Sequence, residues 1–189
     1  MGQQPNDKRV EGGEMKLSDK MTTLEMEIAI MDYFDVRQNM VVPNVFWSFF
    51  NHEVDLLSLT NAGYATEVEI KVSRSDLKAD AKKKHNHEST LLKYLYFAVP
   101  ENLAEFALEH IPERAGLFSV SRSKSHYKTP WQGEYSVNSW YVKKVKEAKR
   151  NGSARKWSNV EIHKLLRIGV MRILGLKKKI LKYKEGERE

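Results

Sequence analysis

The amino-acid sequence predicts an α/β fold in which helices flank a mixed central β-sheet. Segments with helical and with extended patterns alternate between residues 24 and 120, in the order helix, strands, helix, strand, helix, strand. The continuous apolar run at 94–99, which ends at Pro100, is typical of a strand that is buried on both faces. The chain has 189 residues, of which 41% are hydrophobic, and this is enough to form one such core.

Local sequence patterns place each element in turn. Thr22 or Thr23 can cap the first helix, and the β-branched and aromatic stretch at 41–60 fits one or two strands. The remaining segments are assigned from apolar periodicity and from the positions of proline and glycine. We expect helices at 24–34, 75–87 and 102–111, and further strands at 64–72, 94–99 and 115–120.

The chain is predicted to divide into four parts. Residues 1–20 are polar and are expected to form a disordered leader, and residues 21–120 are expected to form the α/β core. Residues 121–157 are expected to hold a polar loop (121–136), a possible strand (137–145) and a basic linker. Residues 158–189 are expected to form a basic amphipathic helical extension.

The C-terminal extension is predicted to be helical and carries most of the positive charge. Ser158 and Glu161 have the spacing of a capping box, and Gly175 can end the helix. Residues 141–189 contain 16 Lys/Arg and 5 Asp/Glu, a net charge of +11, whereas residues 1–140 have a net charge of −4. This asymmetry suggests a polyanionic partner, with nucleic acid first and an anionic membrane surface second; solubility alone is the alternative.

The composition excludes several classes of protein. Cysteine is absent, which excludes disulfides, thiolate zinc sites and cysteine nucleophiles. No apolar run approaches the ~18 residues that a membrane-spanning helix needs, and the N-terminus lacks the apolar region of a signal peptide. We therefore expect no membrane span and a cytoplasmic protein.

Glu27 falls on the apolar side of the predicted first helix. At 100° per residue it lies between Met31 and Phe34, whereas Ala29 is expected to face water. A buried carboxylate without a partner costs several kcal/mol or becomes protonated, so Glu27 should have a partner, and a cation is one candidate. The alternatives are an exposed helix end or an ion pair with Arg or Lys.

A second group of acidic residues follows from a predicted hairpin. A three-residue loop at 61–63, with its glycine in the left-handed conformation, would make Thr60 face Tyr64. In that register Asp55 lies opposite Glu69. Because side chains alternate along a strand, four charged residues then share one face: Asp55, Glu67, Glu69 and Lys71.

Opposed carboxylates at this position repel each other and need compensation. Directly opposed residues have Cβ atoms about 4.5–5.5 Å apart, so a shared proton, a basic side chain or a divalent ion must offset the repulsion. Carboxylate oxygens suit hard cations, and Mg²⁺ or Mn²⁺ is the natural candidate. The alternative is a solvated strand face with cross-strand ion pairs such as Glu53–Lys71. None of the six histidines has a spacing that we interpret as metal-ligating.

The motif at these residues resembles that of a known superfamily. Asp55, thirteen intervening residues and then Glu69-Ile70-Lys71 resemble the D…(D/E)-x-K signature of the PD-(D/E)xK nuclease superfamily. The stretches 69–80 (EIKVSRSDLKAD), 95–100 (LYFAVP) and 115–120 (AGLFSV) are similar to MmcB-like DNA-repair proteins and related phage-associated nuclease-like proteins. The resemblance covers residues 24–120. The proline of the family name is absent before Asp55.

The resemblance implies a restriction-endonuclease-like fold and a metal-dependent DNA nuclease in repair, restriction or phage DNA processing. Asp55 and Glu69 would ligate Mg²⁺ or Mn²⁺, and Lys71 would orient or activate the attacking water and stabilise developing charge. Glu27 fits the extra acidic residue that many such nucleases carry on the first helix. Glu67 would be a supporting neighbour. A DNA-binding module that retains this fold without catalysis is the alternative function.

Further residues are candidates for contacts with DNA. Four lysines crowd the helix that follows the motif: Lys78, Lys82, Lys83 and Lys84. We predict that they contact DNA phosphates; the alternative is a solvated helix face. Four aromatic residues of the C-terminal part can either stack on bases or belong to the core: Trp131, Trp140, Tyr141 and Trp157. A homodimer is possible.

Overall fold

The computed structural model describes residues 20–46, 49–50, 52–81, 89–129, 131 and 133–186. Six strands form one sheet: β1 (Met40–Val45), β2 (Val54–Leu59), β3 (Ala65–Ile70), β4 (Leu92–Pro100), β5 (Gly116–Thr129) and β6 (Gly133–Lys146). The helices are α1 (Thr23–Tyr33), α2 (Arg74–Ala81), α3 (Ala104–His110) and α4 (Asn159–Gly186), with a short 3₁₀ turn at Glu101–Leu103. The predicted leader falls on residues outside the described part of the chain, except for Lys20.

The sheet is mixed, as the sequence predicts. Its strands lie side by side in chain order from β1 to β6. β1, β2 and β3 form an antiparallel meander, β3, β4 and β5 are parallel, and β6 is antiparallel to β5. Parallel neighbours need a crossover connection, and α2 and α3 lie in the two connections that join β3 to β4 and β4 to β5.

The sheet buries both of its faces. Alternate residues of β4 belong to two different apolar clusters: Tyr96 and Ala98 join the cluster that contains α1 residues, whereas Leu95, Phe97 and Val99 join the cluster that contains α2 and α3 residues. Since side chains alternate along a strand, α1 covers one face and α2 with α3 covers the other. α4 packs against β1, where its buried residue is Leu165.

The orientation of α1 differs from the prediction. Ala29, which was expected to face water, is buried together with Met26 and Ile30, whereas Leu24 is exposed. Thr22, one of the two predicted caps, starts the helix and forms a capping box with Glu25. Most positions of α1 are apolar, so its sequence does not define one buried side, and packing on the sheet decides the rotation.

Residues 121–136 do not form the loop that the sequence analysis predicts. β5 continues to Thr129 and pairs with β6, which begins at Gly133 with a φ of +70°. The predicted strand at 137–145 is confirmed as the central part of β6. The sequence of this ribbon lacks the alternation of apolar and polar residues that predicts a strand. Backbone hydrogen bonds between β5 and β6 define it as strand, and these leave no signal in the sequence.

α4 does not end at Gly175. Ser158 and Glu161 form the predicted capping box, but the helix continues through Gly175 to Gly186. One glycine inside a helix costs only about 1 kcal/mol, which the helix-forming Leu and Lys residues around it offset. No helix in the described part of the chain is both long and apolar enough to span a membrane.

Candidate active site

The β2–β3 hairpin has the predicted register. Tyr64 accepts a hydrogen bond from the Thr60 N–H at 3.0 Å, and Gly63 has a φ of +82° in the three-residue loop. Leu57 pairs with Glu67, so continuing the same register places Asp55 opposite Glu69. A short loop of this kind fixes the pairing of the strands, and a one-residue slip would move every side chain to the other face.

Asp55, Glu69 and Lys71 converge at one end of this hairpin. The Lys71 Nζ lies 2.6 Å from Glu69 Oε2 and 3.6 Å from Asp55 Oδ2. The Ile70 backbone N–H donates a hydrogen bond of 2.8 Å to the same Asp55 oxygen. The amine therefore bridges the two carboxylates that the hairpin brings together.

This charged face is buried, and the alternative of a solvated strand face is wrong. The exposed fractions of Glu67, Glu69 and Lys71 are 0%, 4% and 8%. In the β3–β4 pairing Glu67 lies beside Leu95 and Glu69 beside Phe97, so apolar residues flank both carboxylates. The Asp55 side chain is 34% exposed, and it opens this end of the cluster to solvent.

Burial perturbs the carboxyl group of Glu69. Desolvation is the largest effect and raises the pKa of Glu69 to about 7, while the Lys71 ammonium opposes the shift and the charge of Asp55 adds to it. Glu69 Oε1 is buried without a hydrogen-bond partner among the described residues. A buried oxygen that accepts no hydrogen bond costs about 1–3 kcal/mol of stability. Binding a proton or a cation at Glu69 Oε1 would remove this cost.

Glu69 is expected to make the stability of the chain depend on pH. Its pKa of about 7 in the folded chain lies above the ordinary value of 4.5, so between these values the folded state binds more protons than the unfolded state. The stability that Glu69 contributes is therefore present at low pH and is lost as pH rises through about 7. We expect the wild type to lose roughly 1–3 kcal/mol relative to Glu69→Gln between about pH 5 and 8.

Chemical denaturation of both proteins in EDTA at several pH values measures this difference. The matched control is Glu105→Gln, which changes an exposed carboxylate on α3 and should follow the wild type at every pH. A wild type that keeps or gains stability relative to Glu69→Gln as pH rises would contradict the expectation.

Glu27 reaches the same end of the sheet from α1. Its Oε2 accepts a hydrogen bond of 3.3 Å from the Asn44 amide. Asn44 has a φ of +52° and lies between two β1 residues that pair with Leu56 and Val54, which puts it opposite Asp55. Burial raises the pKa of Glu27, and the nearby charge of Asp55 raises it further, while the hydrogen bond and the Arg172 guanidinium lower it. Glu27 therefore has the partner that its helix position requires.

Arg172 is a residue of this region that the sequence analysis missed. Its guanidinium, on α4, donates a hydrogen bond to the Asn44 carbonyl oxygen and lies 3.9 Å from Glu53 Oε1. The cross-strand pair that the sequence suggested for Glu53 is thus replaced by a contact with the C-terminal helix. Only the basic character of that helix hinted at such a role, because 128 residues separate Asn44 from Arg172.

His52 also lies at the site, where no sequence pattern placed it, and it contacts Glu67, which was expected on this face. The His52 Nε2 lies 2.6 Å from Glu67 Oε1, and one ligand atom from each of His52, Glu67 and Glu69 lies within 4.8 Å of the others. His52 belongs to the segment before β2 and has no sequence neighbour that forms a metal-binding pattern with it. The signal that could have identified it is its position three residues before Asp55.

The other predicted contacts have different outcomes. Lys82, Lys83 and Lys84 lie outside the described residues. Lys78 is exposed on α2 with its Nζ 5.7 Å from the centroid of the Phe106 ring, so its contact with phosphate stays a prediction. Trp157 belongs to the core, Trp140 packs against the core beside α1, and Trp131 and Tyr141 are exposed.

Comparisons with known proteins inform the fold and leave the activity open. No protein-family model matches the chain, and no curated protein matches it. Among solved structures, a protein of unknown function from Silicibacter pomeroyi is similar, with a TM-score of 0.55 and 18% sequence identity. The match covers 89% of this chain and 96% of that one. At this identity the similarity concerns the fold alone.

Proposed function

We propose that this protein is a divalent-metal-dependent DNA nuclease that hydrolyses phosphodiester bonds, with a restriction-endonuclease-like core of the PD-(D/E)xK type. The observation that carries the proposal is the convergence of Asp55, Glu69 and Lys71 at one end of a hairpin, with a buried Glu69 oxygen that has no hydrogen-bond partner among the described residues. The observed order α1, β1 to β3, α2, β4 agrees with the element order on which the resemblance rests.

The donor set suits a hard divalent ion. Asp55 and Glu69 offer carboxylate oxygens. Glu27 is a third carboxylate, and it lies close enough to Asp55 for the charge of Asp55 to raise the pKa of Glu27. When bound, Mg²⁺ or Mn²⁺ supplies Lewis-acid polarisation of a phosphoryl oxygen and lowers the pKa of bound water. The partly exposed Asp55 carboxylate can be reached from solvent, and its hydrogen bond from the Ile70 N–H holds it in place.

The protein's own residues stabilise the charge that develops in the reaction. Attack by water on phosphorus breaks one P–O bond, and negative charge accumulates on the phosphoryl oxygens in the transition state. The Lys71 ammonium lies where it can offset that charge, and the two neighbouring carboxylates favour its protonated form. Lys71 is therefore assigned to charge stabilisation and to orienting the nucleophile, and not to general-base catalysis.

DNA is the substrate that the charge distribution favours. The segment 141–189 has a net charge of +11, and its helix α4 brings Arg172 close to Asn44 and Glu53 at the edge of the site. Arginine and lysine contacts to phosphates supply most sequence-independent affinity for DNA. A polyanion bound along α4 at Arg172 would lie at the edge of the cluster of Asp55, Glu69 and Lys71.

A cleavage assay with the purified full chain tests the proposal. Supercoiled plasmid and linear duplex are incubated with Mg²⁺, with Mn²⁺ or with EDTA. We expect cleavage with either metal ion, none in EDTA, and a loss of at least about a hundredfold in Glu69→Gln. Glu105→Gln, at an exposed position on α3, is the matched control and should cleave like the wild type.

Two results would contradict the nuclease proposal. One is the absence of cleavage by the wild type under every metal condition, and the other is equal cleavage by wild type and Glu69→Gln. Salt-dependent binding of DNA without cleavage would favour the alternative, a DNA-binding module with a nuclease-like fold. The slope of binding affinity against salt concentration, measured by fluorescence anisotropy, distinguishes that outcome from no interaction.

A further inference from the structure

A second group of ligand atoms lies beside the proposed catalytic cluster. One ligand atom from each of His52, Glu67 and Glu69 lies within 4.8 Å of the others, and the His52 Nε2 approaches Glu67 Oε1 to 2.6 Å. Glu69 is shared with the Asp55 cluster, whereas His52 and Glu67 are not needed for the proposed hydrolysis. The three groups, all able to ligate a metal, form a second donor set that has only Glu69 in common with the Asp55 cluster.

Two carboxylates of this group are buried side by side on one face of β3. Glu67 is fully buried, and it lies opposite Leu57 and beside Leu95 in the sheet. Glu67 also raises the pKa of Glu69, because both carboxylates project from the same face of β3. The Lys71 ammonium contacts Glu69 Oε2 and the His52 imidazole contacts Glu67 Oε1, so each carboxylate has one oxygen beside a nitrogen group in a low-dielectric pocket.

Glu69, which belongs to both groups of ligand atoms, also points to a ligand at this position. Glu69 Oε1 is buried and has no hydrogen-bond partner among the described residues, although the other oxygen of the same carboxylate is paired with Lys71. Buried polar atoms are nearly always satisfied, and an exception calls for a bound water, proton or ion. A cation held by Glu69 Oε1 would satisfy that oxygen.

We propose that His52, Glu67 and Glu69 form a second cation site that binds a first-row transition ion such as Mn²⁺ or Zn²⁺ in preference to Mg²⁺. An imidazole nitrogen with two carboxylate oxygens suits these ions, whereas Mg²⁺ prefers oxygen ligands and retains its waters. Three protein ligands leave positions open for water. The proposal concerns binding of metal ions and holds whether or not the protein cleaves DNA.

The test is direct measurement of metal binding by the tag-free full chain after removal of metal with EDTA. Mn²⁺ is titrated by calorimetry and by electron paramagnetic resonance, with Mg²⁺ titrated in parallel. We expect two classes of Mn²⁺ site, of which His52→Ala loses one and Asp55→Asn the other. The affinity at the lost site should fall at least about tenfold, and Glu69→Gln should weaken both.

Controls separate the site from a general effect of losing a histidine. His163→Ala removes an exposed histidine of α4 and should leave both classes of site unchanged. His52 is only partly buried, so His52→Ala should fold, and circular dichroism with a thermal melt verifies this. If a variant unfolds, His52→Gln keeps the size and polarity of the side chain and provides the same comparison.

The outcomes distinguish this inference from the proposed nuclease. Unchanged Mn²⁺ affinity and stoichiometry in folded His52→Ala would overturn the second site, even if the wild type cleaves DNA. Binding that depends on His52 in a protein that never cleaves DNA would support the site and reject the nuclease. Equal affinity of the His52-dependent site for Mg²⁺ and Mn²⁺ would overturn the stated ion preference.

Discussion

Replacing Lys71 by methionine is expected to slow metal-dependent DNA cleavage by about 10²–10³-fold while the chain remains folded. Methionine keeps most of the apolar stem but removes the ammonium, which lies 2.6 Å from Glu69 Oε2 and 3.6 Å from Asp55 Oδ2. The transition state then loses a positive charge that acts in a buried, low-dielectric position. Initial rates of plasmid cleavage in Mg²⁺ measure the effect.

The same variant should shift the pH dependence of the remaining activity. The Lys71 charge lowers the pKa of Glu69, so its removal raises that pKa and moves the acidic limb of the rate profile to higher pH. Lys93→Met is the matched control, since the Lys93 Nζ lies 4.1 Å from the centroid of the Tyr64 ring and no contact joins it to the carboxylates in the described part of the chain. A Lys71→Met protein with wild-type rates would refute the role assigned to Lys71.

The second large effect is expected from Trp157→Ala, which should lower the free energy of unfolding by about 3–5 kcal/mol. Trp157 is buried and its indole N–H donates a hydrogen bond of 2.8 Å to the Leu91 carbonyl. Its ring centroid lies 4.9 Å from that of Phe49, and it shares an apolar cluster with Leu165 of α4. Its truncation leaves a cavity and an unpaired carbonyl at the point where α4, the helix of Arg172, joins the core.

Urea denaturation followed by circular dichroism measures this loss. Trp131→Ala is the matched control, because Trp131 is 91% exposed in the turn between β5 and β6 and its loss should change stability by less than about 0.5 kcal/mol. Trp157→Phe retains much of the apolar contact and loses the hydrogen bond, so its stability should be intermediate. If the Trp157→Ala protein were as stable as the Trp131→Ala protein, the packing of Trp157 would not contribute to the stability of the core.

Part of the candidate site follows from local rules that act within about twenty residues. The loop at 61–63 sets the register of the hairpin, and strand alternation then places Asp55, Glu69 and Lys71 on one face. The capping boxes at Thr22 and Ser158 are equally local, since each depends on residues three positions apart. The hairpin register and the capping boxes can therefore be predicted from the sequence, because the residues that form them lie close together in the chain.

Other parts depend on contacts between distant segments. The sequence could not indicate whether the charged face of β3 is solvated, because its burial depends on strand β4 beside it and on the helices across the sheet. The rotation of α1 was predicted wrongly at Ala29 for the same reason, because its apolar residues are spread too widely around the helix to define one buried side. Arg172 reaches Asn44 from the far end of the chain, and no local pattern encodes that distance.

The sequence by itself therefore determined the α/β class, the hairpin register and the set of charged residues on one strand face, because short-range backbone geometry and side-chain alternation fix them. The tertiary structure alone decided how deeply Glu67 and Glu69 are buried, that His52 approaches them, and that α4 delivers an arginine to the edge of the site. Burial and electrostatic coupling depend on everything packed around a group, and those neighbours come from segments far apart in the chain.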